Sequence, residues 1–140
     1  MTIPLRRALL VFLLISALGV GSWAYFAPMS WYTTFPGFGL RWLPPLGPFN
    51  EHFVKDVGAM FLGLAVLSVG ALIMVVNAGV VRLVAATWLT FNTFHFVYHL
   101  QMLHMYGTLD KILNIIVLGA LLLASAALLA PVRLRRAVPA

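Results

Sequence analysis

EHFVKDVGAMFLGLAVLSVGALIMVV, Glu51 to Val76, keeps all of its formal charge within the first six residues, and the twenty residues from Val57 to Val76 carry none. A helix of about 20 apolar residues is what crosses ~30 Å of hydrocarbon, so this stretch reads as a transmembrane span. Its start is marked. Asn50, just after Pro48, is a good N-cap, and Glu51 places negative charge in the first turn, where the helix dipole favours it. Gly58, Ala59, Gly63, Ala65, Gly70 and Ala71 form a small-residue stripe that permits close backbone approach in lipid. That predicts a central place for this helix in a bundle.

Three further runs flank it. The first spans residues 5–27, with Arg6 and Arg7 at its edge. It is longer than a secretory signal core, and Pro28 follows its one small-residue site, Ala24 and Ala27, so we read it as a retained span. After the span at 51–76, Asn77, Ala78 and Gly79 read as a short turn, and a third span follows over 80–105, ended by Gly107. Thr108 is expected to cap a fourth over 109–130, with Asp110 in its first turn, before Pro131 and the basic tail Arg133, Arg135 and Arg136. The expected fold class is an all-α membrane protein, a four-transmembrane-helix bundle forming one domain over residues 1–140.

Composition agrees. A chain that is 63% hydrophobic and 9% charged is too apolar to coat itself with polar side chains in water, so its main partner is the lipid bilayer. With no cysteine, disulfides, thiolate metal centres and cysteine nucleophiles are excluded. The net charge of +6 lies at helix ends rather than on a continuous face, which argues against nucleic acid.

Residues 28–50, between the first two spans, hold five of the eight prolines together with Trp31, Tyr32, Phe35, Phe38, Trp42 and Phe49. Prolines forbid a continuous helix and Trp and Tyr favour the headgroup zone, so this is expected to be a structured interfacial loop with a turn at Phe35 to Gly39. An even number of spans puts Arg6, Arg7, Arg82, Arg133, Arg135 and Arg136 on one side, and Arg41, Lys55 and Lys111 with all three acids on the other. The positive-inside rule then makes both termini of this multi-pass cell-membrane protein cytoplasmic and the Pro/aromatic-rich loop extracytoplasmic.

On that topology every acid and every histidine falls in the outer half of the bundle. At ~1.5 Å per residue, Asp56, His99 and Asn114 each lie about 9 to 10 Å below the outer ends of their helices. Glu51 with Lys55, and His52 with Asp56, are spaced i,i+4, while Trp88, Asn92, His95, His99, Met102 and Tyr106 recur on one face. An ionisable group at membrane depth costs at least ~2.5 to 3.5 kcal/mol on insertion scales, which makes a pocket the default reading. The candidate pocket residues are Glu51, His52, Asp56, Asn92, His95, His99, His104 and Asn114. The competing reading is packing glue, at ~0.6 kcal/mol per hydrogen-bonded pair.

His95-x-x-x-His99 is the sharpest chemical signal, because two imidazoles at i,i+4 can chelate one metal, with Asp56, His52 or His104 completing the shell and Asp56 taken as the third ligand. The Glu of the zinc-protease pattern is missing, since Phe96 follows His95. Haem is disfavoured, since bis-His ligation needs histidines on different helices and only His52 lies off the third. No Gly-rich phosphate loop or serine elbow is present, and Ser68 and Ser125 are the only polar groups that could carry a proton path through the inner half.

The segments Phe35-Pro36-Gly37-Phe38-Gly39 and Gly47-Pro48-Phe49-Asn50-Glu51-His52-Phe53-Val54-Lys55-Asp56-Val57-Gly58 resemble small four-span membrane proteins of actinobacterial type, loosely DoxX-like in layout. That resemblance implies the fold, assigns no activity, and implies that Asn50, Glu51, His52 and Asp56 work as a unit. The sequence as a whole reads as a non-enzymatic membrane protein whose outer pocket, roofed by the aromatic loop, binds a small molecule or lipid or docks on a larger membrane complex. Two alternatives stay open: a His-ligated metal enzyme of redox or hydrolytic type, and an accessory subunit of a respiratory or transport complex. Self-association into a homo-oligomer is compatible with any of these.

Overall fold

The computed structural model describes residues 1–131, and in it each long apolar run is a helix. The basic tail at Arg133, Arg135 and Arg136 lies outside the described residues. Helix α1 (Ile3–Phe26) opens at Thr2, whose hydroxyl accepts from the Leu5 amide, and stops before Pro28, which has no amide hydrogen to continue it. Pro28 instead starts a short helix, α2 (Pro28–Thr34), so part of the proline-rich segment is helical after all: proline is well placed in a first helical turn. A two-stranded hairpin follows, β1 (Pro36–Gly37) antiparallel to β2 (Leu40–Arg41), with Pro36 opposite Arg41. Its tip takes positive φ at Gly37 and Gly39, where only glycine is unstrained, and leaves Phe38 fully exposed. One 3-10 turn, Pro44–Leu46, leads to Asn50.

Asn50 caps α3 (Glu51–Ile73) as its sequence signals require, its side-chain oxygen accepting from the Phe53 amide at 3.3 Å. The spans end earlier than their apolar runs. Helix α3 stops at Ile73, and Asn77, expected within a turn, is the N-cap of α4 (Ala78–Gln101), accepting from the amides of Gly79 and Val80. Helix α4 gives way at Gln101 to a 3-10 turn, Leu103–Met105. Thr108 lies inside α5 (Thr108–Ala127) and makes no capping bond; Gly107 holds the cap position. Helices α1, α3, α4 and α5 are long and apolar enough to cross a membrane, with α4 the least apolar.

They pack as two close pairs, α1 with α3 and α4 with α5, joined by thinner seams. The α1/α3 contact is backbone to backbone. A Cβ on Gly58 would lie 2.6 Å from the Tyr25 amide nitrogen, and one on Gly21 would lie 3.0 Å from that of Leu62. The small-residue stripe of α3 therefore resolves into a narrower one: Gly58, Ala65 and Ala71 are buried, whereas Ala59 and Gly63 face outward. Such close approach gains dispersion contacts, the main attraction available between helices in lipid.

Two apolar clusters hold the bundle. The larger, with Leu10, Leu13, Phe61, Leu64, Val84 and Trp88, fills the middle and the end carrying Met1 and the α3–α4 turn, hereafter the terminal end. Arg6 is buried there and donates to the Val75 carbonyl at 3.1 Å, although its position at a helix edge predicts an interfacial side chain. The smaller cluster, Ala24, Trp31 and Val54 with Phe35, Leu43 and Phe49, joins the 28–50 segment to the opposite, loop end.

Candidate functional site

Between the two clusters the helix pairs part, and toward the loop end they leave a cavity of about 300 Å³. Its walls are mainly apolar: Val20 of α1, Val57 and Phe61 of α3, Phe91 of α4, and Leu118 and Leu121 of α5. Trp31, Phe35, Trp42, Leu43 and Leu46 of the 28–50 segment roof it. That volume is at the small end of the range for ligand pockets.

Hydrogen bonds latch the roof to the far helix pair. The buried Trp42 indole donates to the Asp110 carboxylate at 2.9 Å, and the Tyr106 hydroxyl donates to the Trp42 carbonyl at 2.7 Å. Within the segment, Tyr32 donates to the Gly47 carbonyl and the Trp42 amide to that of Phe35. Burial pushes the Tyr106 hydroxyl up to about 12, and Tyr98 and Asp110 push the same way. It is therefore a protonated donor at neutral pH.

At the floor of the cavity and just below it, Asn92, Ser125, Trp88 and Ser68 are closed off among themselves, whereas Arg6, deeper toward the terminal end, keeps Nε and one Nη without a partner among the described residues. Asn92 donates its amide to the Ser125 hydroxyl at 2.8 Å and to the Leu121 carbonyl at 3.2 Å, and Ser125 donates in turn to Leu121. The Trp88 indole donates to Ser68, which donates to the Leu64 carbonyl. The two serines singled out as carriers of a proton path are thus committed to tying helices together.

At the level of the cavity the pattern changes. The His95 ring stacks on Phe91 with centroids 5.2 Å apart and meets the His99 ring edge-on at 4.6 Å. Asn114 donates to the Asp110 carbonyl at 3.0 Å, but its carbonyl oxygen finds no partner among the described residues. Neither do Nδ1 of His99 and Nε1 of Trp31, although the Asn114 amide lies close enough to the His99 ring to act on it. These three side chains are more than nine-tenths buried and all line the cavity.

Of the candidate residues, then, Asn92, His95, His99 and Asn114 come together around one space. Glu51, His52, Asp56 and His104 do not. Helix α3 turns Val54, Val57, Gly58 and Phe61 inward, which sends the polar row outward. There Glu51 pairs with Lys55 at 2.8 Å and His52 with Asp56 at 3.3 Å, the latter two side chains 78% and 63% exposed. Lipid offers no hydrophobic gain for burying one apolar face over another, so close packing of Gly58 against α1 sets the rotation of the helix, and the i,i+4 spacing lets the polar row pair outside. His104 lies in the 3-10 turn, exposed, with Nδ1 3.0 Å from the Gln101 carbonyl. The proposed metal set of His95, His99 and Asp56 is accordingly not assembled: among the described residues no three His, Asp or Glu side chains converge.

Sequence reasoning anticipated the aromatic roof but missed its latch. Asp110 reads as a first-turn acid and Trp42 as an interfacial anchor, and nothing local says that residues 68 positions apart meet. No protein-family model, curated protein or solved structure matches this chain.

Proposed function

We propose that this is a small multi-pass membrane binding protein whose cavity, in the outer leaflet, takes a compact lipophilic molecule. The observation that carries the reading is the conjunction of apolar walls with three buried, unpartnered polar atoms on Trp31, His99 and Asn114. Leaving a buried donor or acceptor unpaired costs about 1 to 3 kcal/mol each. A ligand that pairs them recovers that energy, and the few convergent polar groups would fix its orientation. We assign the cavity to the outer leaflet by the positive-inside rule, since six of the nine Lys and Arg, namely Arg6, Arg7, Arg82, Arg133, Arg135 and Arg136, belong by sequence to the side of the termini and three, Arg41, Lys55 and Lys111, to the side of the loop.

The test is to purify the protein in mild detergent beside Leu121→Trp, whose indole would fill the cavity, and to compare their organic-solvent extracts by mass spectrometry. A small molecule present near one per chain in the wild type and depleted in the variant is expected. Indistinguishable extracts would defeat the reading.

Docking on a larger membrane complex has one observation of its own. Glu51, His52 and Asp56 are exposed, with Lys55 half-buried between them and an exposed Phe53 alongside, and Asp56 lies about 9 Å along its helix from Asn50, counting 1.5 Å per residue. A partner covering that row would be recovered stoichiometrically after gentle extraction.

A further inference from the structure

We infer that the ligand is an uncharged lipophile whose polar head is a hydroxyl; this rests on the binding reading above and names its chemical class. Among the described residues no Asp, Glu, Lys or Arg lines the cavity. The acids of the loop end are engaged elsewhere, Glu51 with the Lys55 ammonium and Asp56 with the His52 ring on the outside of α3, and Asp110 with the Trp42 indole. An ammonium head placed here would be buried without a counter-ion, and a carboxylate or phosphate would find one only by forcing a proton onto His95 or His99 in an apolar site, which disfavours all three.

The three unpartnered atoms then narrow the head group. An indole Nε1 can only donate. Asn114 has already given its NH₂ to the Asp110 carbonyl, which sets the orientation of the amide and leaves an oxygen that can only accept. His99 Nδ1 does either, according to tautomer. A ketone, ester or ether accepts from Trp31 but leaves the Asn114 oxygen unpaired, and a group that only donates leaves Trp31 unpaired. The smallest neutral group that both accepts and donates is a hydroxyl. The walls suit the body that carries it: Phe35, Trp42, Phe61 and Phe91 are among the lining residues, and an aromatic lining favours a ring alcohol or phenol.

Access is from the membrane. The roof is latched through Trp42, Tyr106 and Asp110, whereas Tyr98 and Val117 line the cavity and are also exposed on the outside of the bundle. A lipid-soluble molecule can reach these two side chains without crossing water.

The experiment is calorimetric titration of the protein in nanodiscs, with empty nanodiscs as the blank, using three probes of one shape: para-heptylphenol, its methyl ether and para-heptylbenzoate at neutral pH. The phenol is expected to bind at least about tenfold more tightly than the ether, the equivalent of one buried hydrogen bond, and the benzoate not at all. Asn114→Leu should bring the phenol to the affinity of the ether; if that variant does not fold, Trp31→Phe removes the donor and should also weaken the phenol. An ether that binds as tightly as the phenol would overturn the hydroxyl assignment and leave the pocket standing, and so would saturable benzoate binding. No saturable binding of phenol or ether would overturn the pocket as well.

Discussion

Gly58 and Gly63 lie on one helix five residues apart, and the same substitution is expected to act with opposite sign at the two. At Gly58 an alanine Cβ would sit 2.6 Å from the Tyr25 amide nitrogen, 2.9 Å from the Tyr25 Cβ and 3.0 Å from the Gly21 carbonyl. Ordinary contact begins at 3.4 Å, and two of these neighbours are backbone, so α1 and α3 must separate by most of an ångström. Overpacking of this kind costs about 1 to 3 kcal/mol. It would also shift Val20 against Val57 and so alter the cavity wall. At Gly63 a Cβ meets nothing within 4 Å, and alanine there gains only helix propensity, up to about 0.5 to 1 kcal/mol. Unfolding in mixed micelles of rising dodecyl sulfate fraction, followed by circular dichroism, reads both. Gly58→Ala should unfold at a lower fraction than the wild type, and Gly63→Ala at the same or a higher one. Equal shifts in the two variants, or no shift in Gly58→Ala, would refute the backbone contact between α1 and α3.

The roof latch carries a pH signature. Because the Tyr106 hydroxyl is held at about 12, above its unfolded value, its contribution is complete below pH ~10 and is lost as pH rises through about 12, a loss on the order of 2 kcal/mol across that window. Tyr106→Phe leaves the Trp42 carbonyl without its donor and should be less stable than wild type at neutral pH by about 1 to 3 kcal/mol. The gap between the two proteins should close over the same alkaline range, and a constant gap would show that Tyr106 is not the latch. On α3, His52→Ala and Asp56→Asn should leave both the unfolding midpoint and phenol binding unchanged, since both side chains face away from the cavity. Weakened binding in either variant would return the outward row to the site.

The fold was legible because a membrane leaves few choices: four apolar runs, a capping Asn50 and a proline-dense connection specify four helices and a loop without any long-range information. The helix ends were less so. Hydropathy reports where a chain tolerates lipid, and not where Asn77 turns its side chain back to cap α4 or where Gly107 displaces Thr108 from the cap. The site was half legible. Spacing placed Asn92, His99 and the partly buried His95 on the inward side of α4, since apolar neighbours share that side. On α3 the same reasoning from polarity failed, because its inward stripe is apolar and its charges pair along the helix outside. Polarity at depth marked the right level of the bundle, and helix rotation, set by Val54, Gly58 and Phe61, decided which polar residues entered it.

That distinction bears on whether the buried polar groups serve packing or binding, and the fold contains an internal control. Asn92 with Ser125 and Trp88 with Ser68 are what polar glue looks like: short bonds between facing helices, with the serine hydroxyls in turn bonded to backbone carbonyls. About two to three turns further toward the loop end, His99 and Asn114 sit on the same two helices as Asn92 and Ser125 at similar burial, and each has a buried atom with no hydrogen-bond partner among the described residues. If interhelical glue were all they provided, leucine at both positions would fill the space with apolar volume and remove two desolvation penalties of about 1 to 3 kcal/mol each. The prediction for His99→Leu combined with Asn114→Leu is therefore a gain in resistance to dodecyl sulfate together with loss of phenol binding. A double variant that is less stable than wild type, yet still binds the phenol, would make these residues glue after all.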